Sequence, residues 1–405
     1  MSQPKIPLTA DTIDAAWLNQ AFDGSVATIT NVKAERLGEG VGLLGEVTRL
    51  HLTYATHSSG PQPASMIAKC QAAAPGNVFM SQAMGFYERE SAFYKQFSQS
   101  INLRVPFCYY TDVDPAGAPY IVLLEEITNP RMVDQVVGAN FEDSAAILDQ
   151  AVKLHSHFWD NELLWSLEWL PPMNNPLYRA AREMAEPKLE SFIATWSPHV
   201  AAETMQWMRE LTPKYPDMVD WWVEQGNATF SHTDFRADNF LFGGSAGEGV
   251  VTVLDFQLSA RHVGMWDVAN FLGQSVTTEN RREWEQSLVR RYYDGMIAAG
   301  VPCIPGSKGL LADLEDARKT ALEVRYPIIL KATAGGGGKG IRIVNNAGDL
   351  QAALESCQRE AKNAFGDATV MLEKQIIKPR HVEVQVFADT HGNVVHLFER
   401  DCSAQ

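Results

Sequence analysis

Residues 231–242 read SHTDFRADNFLF, and residues 250–257 read VVTVLDFQ. The first stretch sets His232, Asp234 and Asn239 in the order H-x-D-x-x-x-x-N, and the second puts Asp255 directly after an apolar strand. Phosphoryl transfer needs a carboxylate to orient and deprotonate an attacking hydroxyl, and oxygen ligands that hold magnesium against the phosphates. On that chemistry Asp234 is predicted to be the base, and Asn239 and Asp255 the Mg2+ ligands. His232 is read as a buttress of the loop. The bland alternative, a polar turn with Asx caps, explains one of these residues at a time but not their common order.

Working upstream, YIVLLEEIT (120–128) reads as an inner strand running into a hinge, with main-chain atoms near Glu125 to Ile127 facing adenine. SMIAKC (65–70) is a short apolar strand with one charge, Lys69, which is costly to bury unless paired. The helical stretch 79–100 offers Glu90 as its partner, with Glu88 as the rival and Phe86, Ala92, Phe93 and Phe97 to pack inward. A Lys–Glu pair of this kind holds an ammonium against the nucleotide's phosphates. Further upstream, Gly40, Gly42 and Gly45 form G-x-G-x-x-G between two strands, ITNVKAERLGEG (29–40), which reads as a strand entering a turn, and a second of period two, in which Thr48, Leu50, Leu52 and Tyr54 alternate with Val47, Arg49, His51 and Thr53. A dinucleotide-binding turn opens a helix, whereas a glycine hairpin between strands suits backbone N–H groups closing over ATP phosphates.

HTDFRADNFLF, VLDFQ and the later GMWDVANFL (264–272), in which Asp267 opens a helix, together resemble the aminoglycoside phosphotransferase and choline kinase-like group, and the DFQ variant its ecdysteroid kinase-like branch. The resemblance runs from about Leu37 to Gly300. It implies an α+β fold of two lobes like a protein kinase, 1–126 and 127–300, with ATP in the cleft and transfer to a hydroxyl of a small molecule. The tryptophan-rich segment HFWDNELLWSLEWLPP (157–172) falls where such kinases shape the acceptor pocket. Trp159, Trp165 and Trp169 are read first as helix packing and second as pocket wall. Members of the group continue past the position of Gly300 with helices that close the acceptor side, and here a different sequence follows.

That sequence is VRYPIILKATAGGGGKGIRIVNN (324–346), a strand, a glycine loop and a second strand. It is not a Walker A loop, since Gly340 follows Lys339 where Ser or Thr should hold magnesium. Gly335, Gly336, Gly337 and Gly338 read as a flap that folds over phosphates with no Cβ in the way, and Lys331 ends a strand within reach of them. An amphipathic helix (347–365), a strand (368–377) and a strand pair split by the turn THGN (390–393) follow. AAGVPCIPGS (298–307), EKQIIKPRHVEVQV (373–386) and LFERDCSAQ (397–405) closely resemble biotin carboxylase, an ATP-grasp enzyme. The resemblance implies that 301–405 is a partial α/β ATP-grasp lid, in which Lys331 and the glycine loop meet phosphates, Glu373 and Lys374 flank adenine, and His381 faces the nucleotide. It covers neither the acidic magnesium ligands nor the bicarbonate and biotin arginines of that enzyme, so carboxylase turnover is not expected.

Composition marks the same seam. The 105 residues from Val301 carry 7 Lys and 6 Arg against 6 Asp and 7 Glu, so the whole net charge of -15 lies in the first 300, as do all ten tryptophans. AAGV (298–301) fits both families, which suggests a crossover between two genes. The excess of acid disfavours nucleic acid. No apolar run reaches the ~18 residues of a membrane span. Five scattered cysteines with no C-x-x-C pair argue against disulfides or a zinc cluster and fit a reducing cytoplasm. The expectation is therefore a cytoplasmic small-molecule kinase using ATP and Mg2+, with no nucleic-acid or membrane partner. An inert nucleotide-binding chimera stands second and a biotin-dependent ligase third.

Overall fold

The computed structural model describes residues 4–37, 44–179, 181–224, 228–302, 305–307, 309–333, 340–376, 382–388 and 394–401. It mixes helix and sheet and divides into two compact units, 1–301 and 302–405.

The first unit opens with helix α1 (Ala15–Phe22), capped by the Asp14 carboxylate on Trp17 N. Strands β1 (Ile29–Arg36), β2 (Gly45–Tyr54), β3 (Ser65–Gln71), β4 (Cys108–Val113) and β5 (Tyr120–Glu125) form one antiparallel sheet in the order β1-β2-β3-β5-β4. Strand period two divides its side chains cleanly. Ala68, Cys70, Ile121 and Leu123 face a core shared with Leu18 and Phe22 of α1. Tyr120, Val122 and Leu124 face the opposite core. Lys69, paired in register with Val122, lies between Ala68 and Cys70 and so points the other way from them.

The predicted helix over 79–100 is two helices, α2 (Pro75–Met84) and α3 (Phe86–Gln96). Gly85 adopts φ 70° between them, a left-handed conformation that glycine alone takes freely, and the chain turns there. This turn brings Tyr87 and Phe93 of α3 under the sheet: Tyr87 stacks on Tyr120 at 4.1 Å and Phe93 on Phe256 at 3.6 Å.

After the two-residue strand β6 (Arg131–Met132) comes the long helix α4 (Phe141–Phe158), capped by Asn140. Short helices α5 (Leu163–Ser166), α6 (Pro176–Arg179), α7 (Ala181–Ala185), α8 (Leu189–Trp196), α9 (Ala202–Leu211) and α10 (Tyr215–Glu224) follow. Strand β7 (Ala228–Ser231) pairs with β10 (Ala260–Val263), and β8 (Phe240–Phe242) lies between β6 and β9 (Val251–Val253). Helices α11 (Met265–Ser275) and α12 (Thr278–Ala298) complete the unit. Trp159 and Trp169 pack against the core, the packing role expected first, while Trp165 is exposed and lies under the Arg261 guanidinium.

In the second unit α13 (Leu314–Val324) and α14 (Leu350–Phe365) cover one face of the sheet β12 (Ile341–Val344), β11 (Ile328–Ala332), β13 (Val370–Lys374), with Leu330, Leu354, Cys357 and Leu372 buried between them. β12 is the outer strand, and Ile341 and Ile343 on it are exposed. β14 (Val382–Ala388) and β15 (Val394–Asp401) form an antiparallel pair. Helix α13, capped by Asp313, was not anticipated from the sequence. Among the described residues Cys70, Cys108 and Cys357 are free thiols, and no helix is long and apolar enough to cross a membrane.

Candidate functional site

Lys69 is the centre of a buried charge cluster. Its Nζ is 3.0 Å from Glu90 Oε1 on α3 and 3.0 Å from Asp255 Oδ1 after β9. Glu90 is 1% exposed and also accepts the Tyr120 hydroxyl at 3.1 Å, whereas Glu88, its rival, is exposed. Gln257 donates to the same Tyr120 oxygen, at 3.2 Å. Loss of water would lower the Lys69 pKa, but Asp255 and Glu90 outweigh it and hold the ammonium charged. Burial raises the Glu90 carboxyl, with Lys69 only partly offsetting it. For Asp255 desolvation is outweighed by Lys69, so this carboxylate sits below its ordinary range. Its side chain is 37% exposed, and it is the member of the cluster that a ligand can reach.

Gly45 opens β2 beside this lysine. A Cβ there would stand 3.0 Å from the Cys70 carbonyl oxygen and 3.4 Å from Lys69 Cε. Gly45→Ala is therefore expected to press on the β3 main chain at Cys70, next to Lys69, and to raise the Kd for MgADP by about threefold to tenfold, with a loss of roughly 1 kcal/mol of stability. Calorimetric titration beside a melting curve checks both, and an unchanged Kd would show that the β2 backbone does not position Lys69. Gly40 and Gly42 lie outside the described residues.

The 232–239 loop is held to the main chain of Leu254, next to Asp255. Leu254 N donates to Asn239 O at 2.9 Å, and Leu254 O is 2.7 Å from the His232 Nε2. Asn239 Nδ2 donates to the Asp234 carboxylate at 3.0 Å and to its carbonyl at 2.8 Å. With that nitrogen committed, the Asn239 amide oxygen is the end available to a cation. Asp234 also accepts from Arg236 Nε at 3.2 Å and keeps a side chain 22% exposed. One carboxylate and one amide oxygen, beside a second carboxylate, are hard donors of the kind Mg2+ takes together with phosphate oxygens. Among the described residues no group of three or more His, Cys, Asp or Glu could hold a metal without such help.

The residue that organises this loop is Asp267, which the sequence marked only as a helix opening. Fully buried, it accepts from Ser231 Oγ (2.8 Å), His232 N (2.7 Å) and Thr233 N (2.8 Å), and lies 3.0 Å from His155 Nε2 of α4. Burial would raise its pKa, but the His155 contact and the charges and N–H groups around it hold it below the ordinary carboxylate value. Thr233, just before Asp234, takes φ 62°, which is strained for a β-branched residue. All its polar groups are engaged: N on Asp267, Oγ1 on Leu258 O at 2.7 Å, and O under Asn270 Nδ2 at 2.8 Å. Asp255 is at φ 62° as well. His155 and Asn270 carry no local signal in the sequence, since their partners lie 112 and 37 residues away.

At the end of β5 both acidic side chains are committed. Glu125 takes both its oxygens to Arg104, at 2.8 and 2.7 Å, and accepts from Phe107 N at 3.0 Å. Glu126 accepts from Arg49 Nε at 2.7 Å and from Ser65 Oγ. An open cleft of about 500 Å³ lies beside the loop, lined by Gln135, Arg236, Asp238, Gln274 and Thr277 among others.

In the second unit Lys331, which stands opposite Met371 in the β11–β13 register, pairs diagonally with Glu373 two residues further along β13. Lys374 Nζ donates to the Arg325 and Tyr326 carbonyls at 2.8 and 3.0 Å. The structure therefore joins Lys331, expected at phosphates, to Glu373, expected at adenine, and turns Lys374 to the end of α13. Gly335, Gly336, Gly337, Gly338 and His381 lie outside the described residues.

Two family models match the chain. The one described as the ecdysteroid kinase-like family matches residues 39–299, and the one described as carbamoyl-phosphate synthase L chain, ATP binding domain, matches 290–405. Curated relatives align with the second part. Methylcrotonoyl-CoA carboxylase subunit alpha of Dictyostelium discoideum is 54% identical over 112 residues, 28% of this chain and 16% of the relative. Biotin carboxylase 1 of Bacillus subtilis is 52% identical over 110 residues, 27% of this chain and 24% of the relative. Among solved structures, the biotin carboxylase–ATP complex of Campylobacter jejuni is 55% identical, covering 28% of this chain and 25% of that one, with a TM-score of 0.22. The chain thus spans a quarter or less of the length of each of these proteins.

Proposed function

The chain belongs to the ecdysteroid kinase-like family through residues 39–299, and on that premise we propose that its first unit is a two-lobed, kinase-like phosphotransferase that moves the γ-phosphate of ATP to a hydroxyl of a small molecule. The observation that carries this reading is the bonded chain from Glu90 through Lys69 to Asp255, with Asn239 and Asp234 tied alongside. Lys69, kept charged by two carboxylates, is the phosphate anchor. The main chain after Glu125, with both neighbouring carboxylates turned to arginines, is the adenine contact. Asn239 Oδ1 and Asp255 are the Mg2+ ligands; when bound, the ion neutralises charge between the phosphates. Asp234 accepts the proton of the acceptor hydroxyl as that oxygen bonds to phosphorus and the bond to the ADP oxygen breaks. The cleft beside Arg236 is where the acceptor enters.

The test is release of ADP from MgATP under a panel of small alcohols, sugars and amino alcohols, in the full chain and in Asp234→Ala. Acceptor-dependent release that the substitution abolishes supports the reading, and binding of MgATP without release under any acceptor would remove it.

A second reading rests on the 54% identity of the second part to a carboxylase subunit. In it residues 301–405 are a piece of an ATP-grasp lid whose Lys331 and glycine loop meet phosphates, carried in a chimera that performs neither reaction or, less consistently with the span covered, as the nucleotide half of a biotin-dependent ligase. ADP release that depends on bicarbonate and biotin and ignores hydroxyl acceptors would favour the ligase.

A further inference from the structure

Arg89 immediately precedes Glu90 on α3 and is 3% exposed. A buried guanidinium has five N–H donors and is tolerated only where acceptors surround it. Here Nη2 donates to Met84 O, at the end of α2, at 2.6 Å, and Nη1 to the Tyr178 hydroxyl of α6 at 2.8 Å and to Leu258 O at 3.5 Å. The rings of Phe86 and Tyr178 flank the guanidinium carbon at 5.5 and 5.7 Å. The Leu258 carbonyl, three residues beyond Asp255, also accepts Thr233 Oγ1 at 2.7 Å and the Tyr178 hydroxyl at 3.5 Å. Around α6, Asp220 of α10 pairs with Arg179 at 2.9 Å and with Asn174 at 3.0 Å.

One side chain therefore joins four segments: α2, the helix that sets Glu90 on Lys69, the loop that carries Asp255, and the helical insert between α4 and β7. We propose that Arg89 is a positioning residue that couples the α6–α10 insert to the Lys69–Glu90 pair, so that the insert's placement sets the affinity for nucleotide. The proposal rests on the kinase-like reading of the site. Glu90 and Arg89 are neighbours on one helix, so α3 cannot rotate to seat or unseat Glu90 without stretching the bond to Tyr178. Thermodynamic linkage makes the effect reciprocal: nucleotide that fixes Glu90 on Lys69 also fixes α6. Lysine cannot replace this residue, because an ammonium does not span acceptors on three segments with planar geometry.

The test is calorimetric titration of the full chain with MgADP, well below the melting temperature. Arg89→Lys is expected to raise the Kd about tenfold and Tyr178→Phe, which keeps the ring and loses the hydroxyl, about threefold. The double variant should bind no more weakly than Arg89→Lys, since both losses pass through one guanidinium. A purely structural role would lower the melting temperature and leave Kd unmoved, and that result overturns the proposal, as do two effects that simply multiply. If Arg89→Lys does not fold, Tyr178→Phe alone decides by its Kd. Failure of the unsubstituted chain to bind MgADP would remove the kinase-like reading itself and the coupling with it.

Discussion

Replacing Asp234 by asparagine is expected to cut acceptor-dependent ADP release by about 10³-fold, within the range that a general base contributes, while the Kd for MgADP changes by less than about twofold. The two halves of this expectation come from different contacts. Lys69 meets Glu90 and Asp255, with no contribution from Asp234, so the nucleotide's anchor is untouched. An asparagine at 234 still offers an oxygen to Asn239 Nδ2 and to Arg236, so the loop stays in place. What disappears is the carboxylate that the proposed reaction uses to take the hydroxyl's proton. Steady-state ADP release and calorimetry separate the effects. A variant retaining more than a tenth of the turnover would show that proton transfer is not the role of Asp234.

The largest expected loss of stability is at Asp267. Removing one partner of a buried ionic network costs about 3–5 kcal/mol, because the charges and donors left behind are uncompensated. For a unit of this size that is a fall in melting temperature on the order of 10 °C for Asp267→Asn. The pH dependence follows from the depressed pKa. A carboxylate titrating lower in the folded than in the unfolded chain stabilises the fold above its unfolded value, near 3.8, and that contribution fades as pH falls through the folded value. The gap in stability between the unsubstituted chain and Asp267→Asn should therefore be widest at neutral pH and should narrow on acidification below pH ~4. Denaturant titrations across that range check it, and a gap that stays constant would assign the stabilisation to packing.

The part of this site that could be read from the sequence is the part in which each residue breaks its local rule. Lys69 stands out because a lysine in an apolar strand demands an anion, and a helix carrying Glu90 follows. Asp255 stands out because it ends a strand, and Asp234 and Asn239 because their spacing matches one chemistry. Asp267 obeys its local rule, an acid in the first turn of a helix, and so gives no hint that Ser231, His232, Thr233 and His155 converge on it. Arg89 likewise reads as a surface charge on an amphipathic helix until the chain turn at Gly85 and the return of α6 enclose it. The division of 79–100 into two helices was missed because only the left-handed φ of Gly85 separates a helix interior from a break. In the second unit strands β11 and β12 on either side of the glycine run were legible, but the pairing of Lys331 with Glu373 depends on a cross-strand register that local sequence does not specify.

The two bare isoleucines on β12 bear on how the protein can be handled. An outer strand offers unpaired main-chain groups along its length, and proteins guard such rims with charge or proline, whereas Ile341 and Ile343 supply neither. In concentrated solution this rim is a place where molecules would stack. A lysine at 343 would blunt it while leaving the inward-facing Val344 in place.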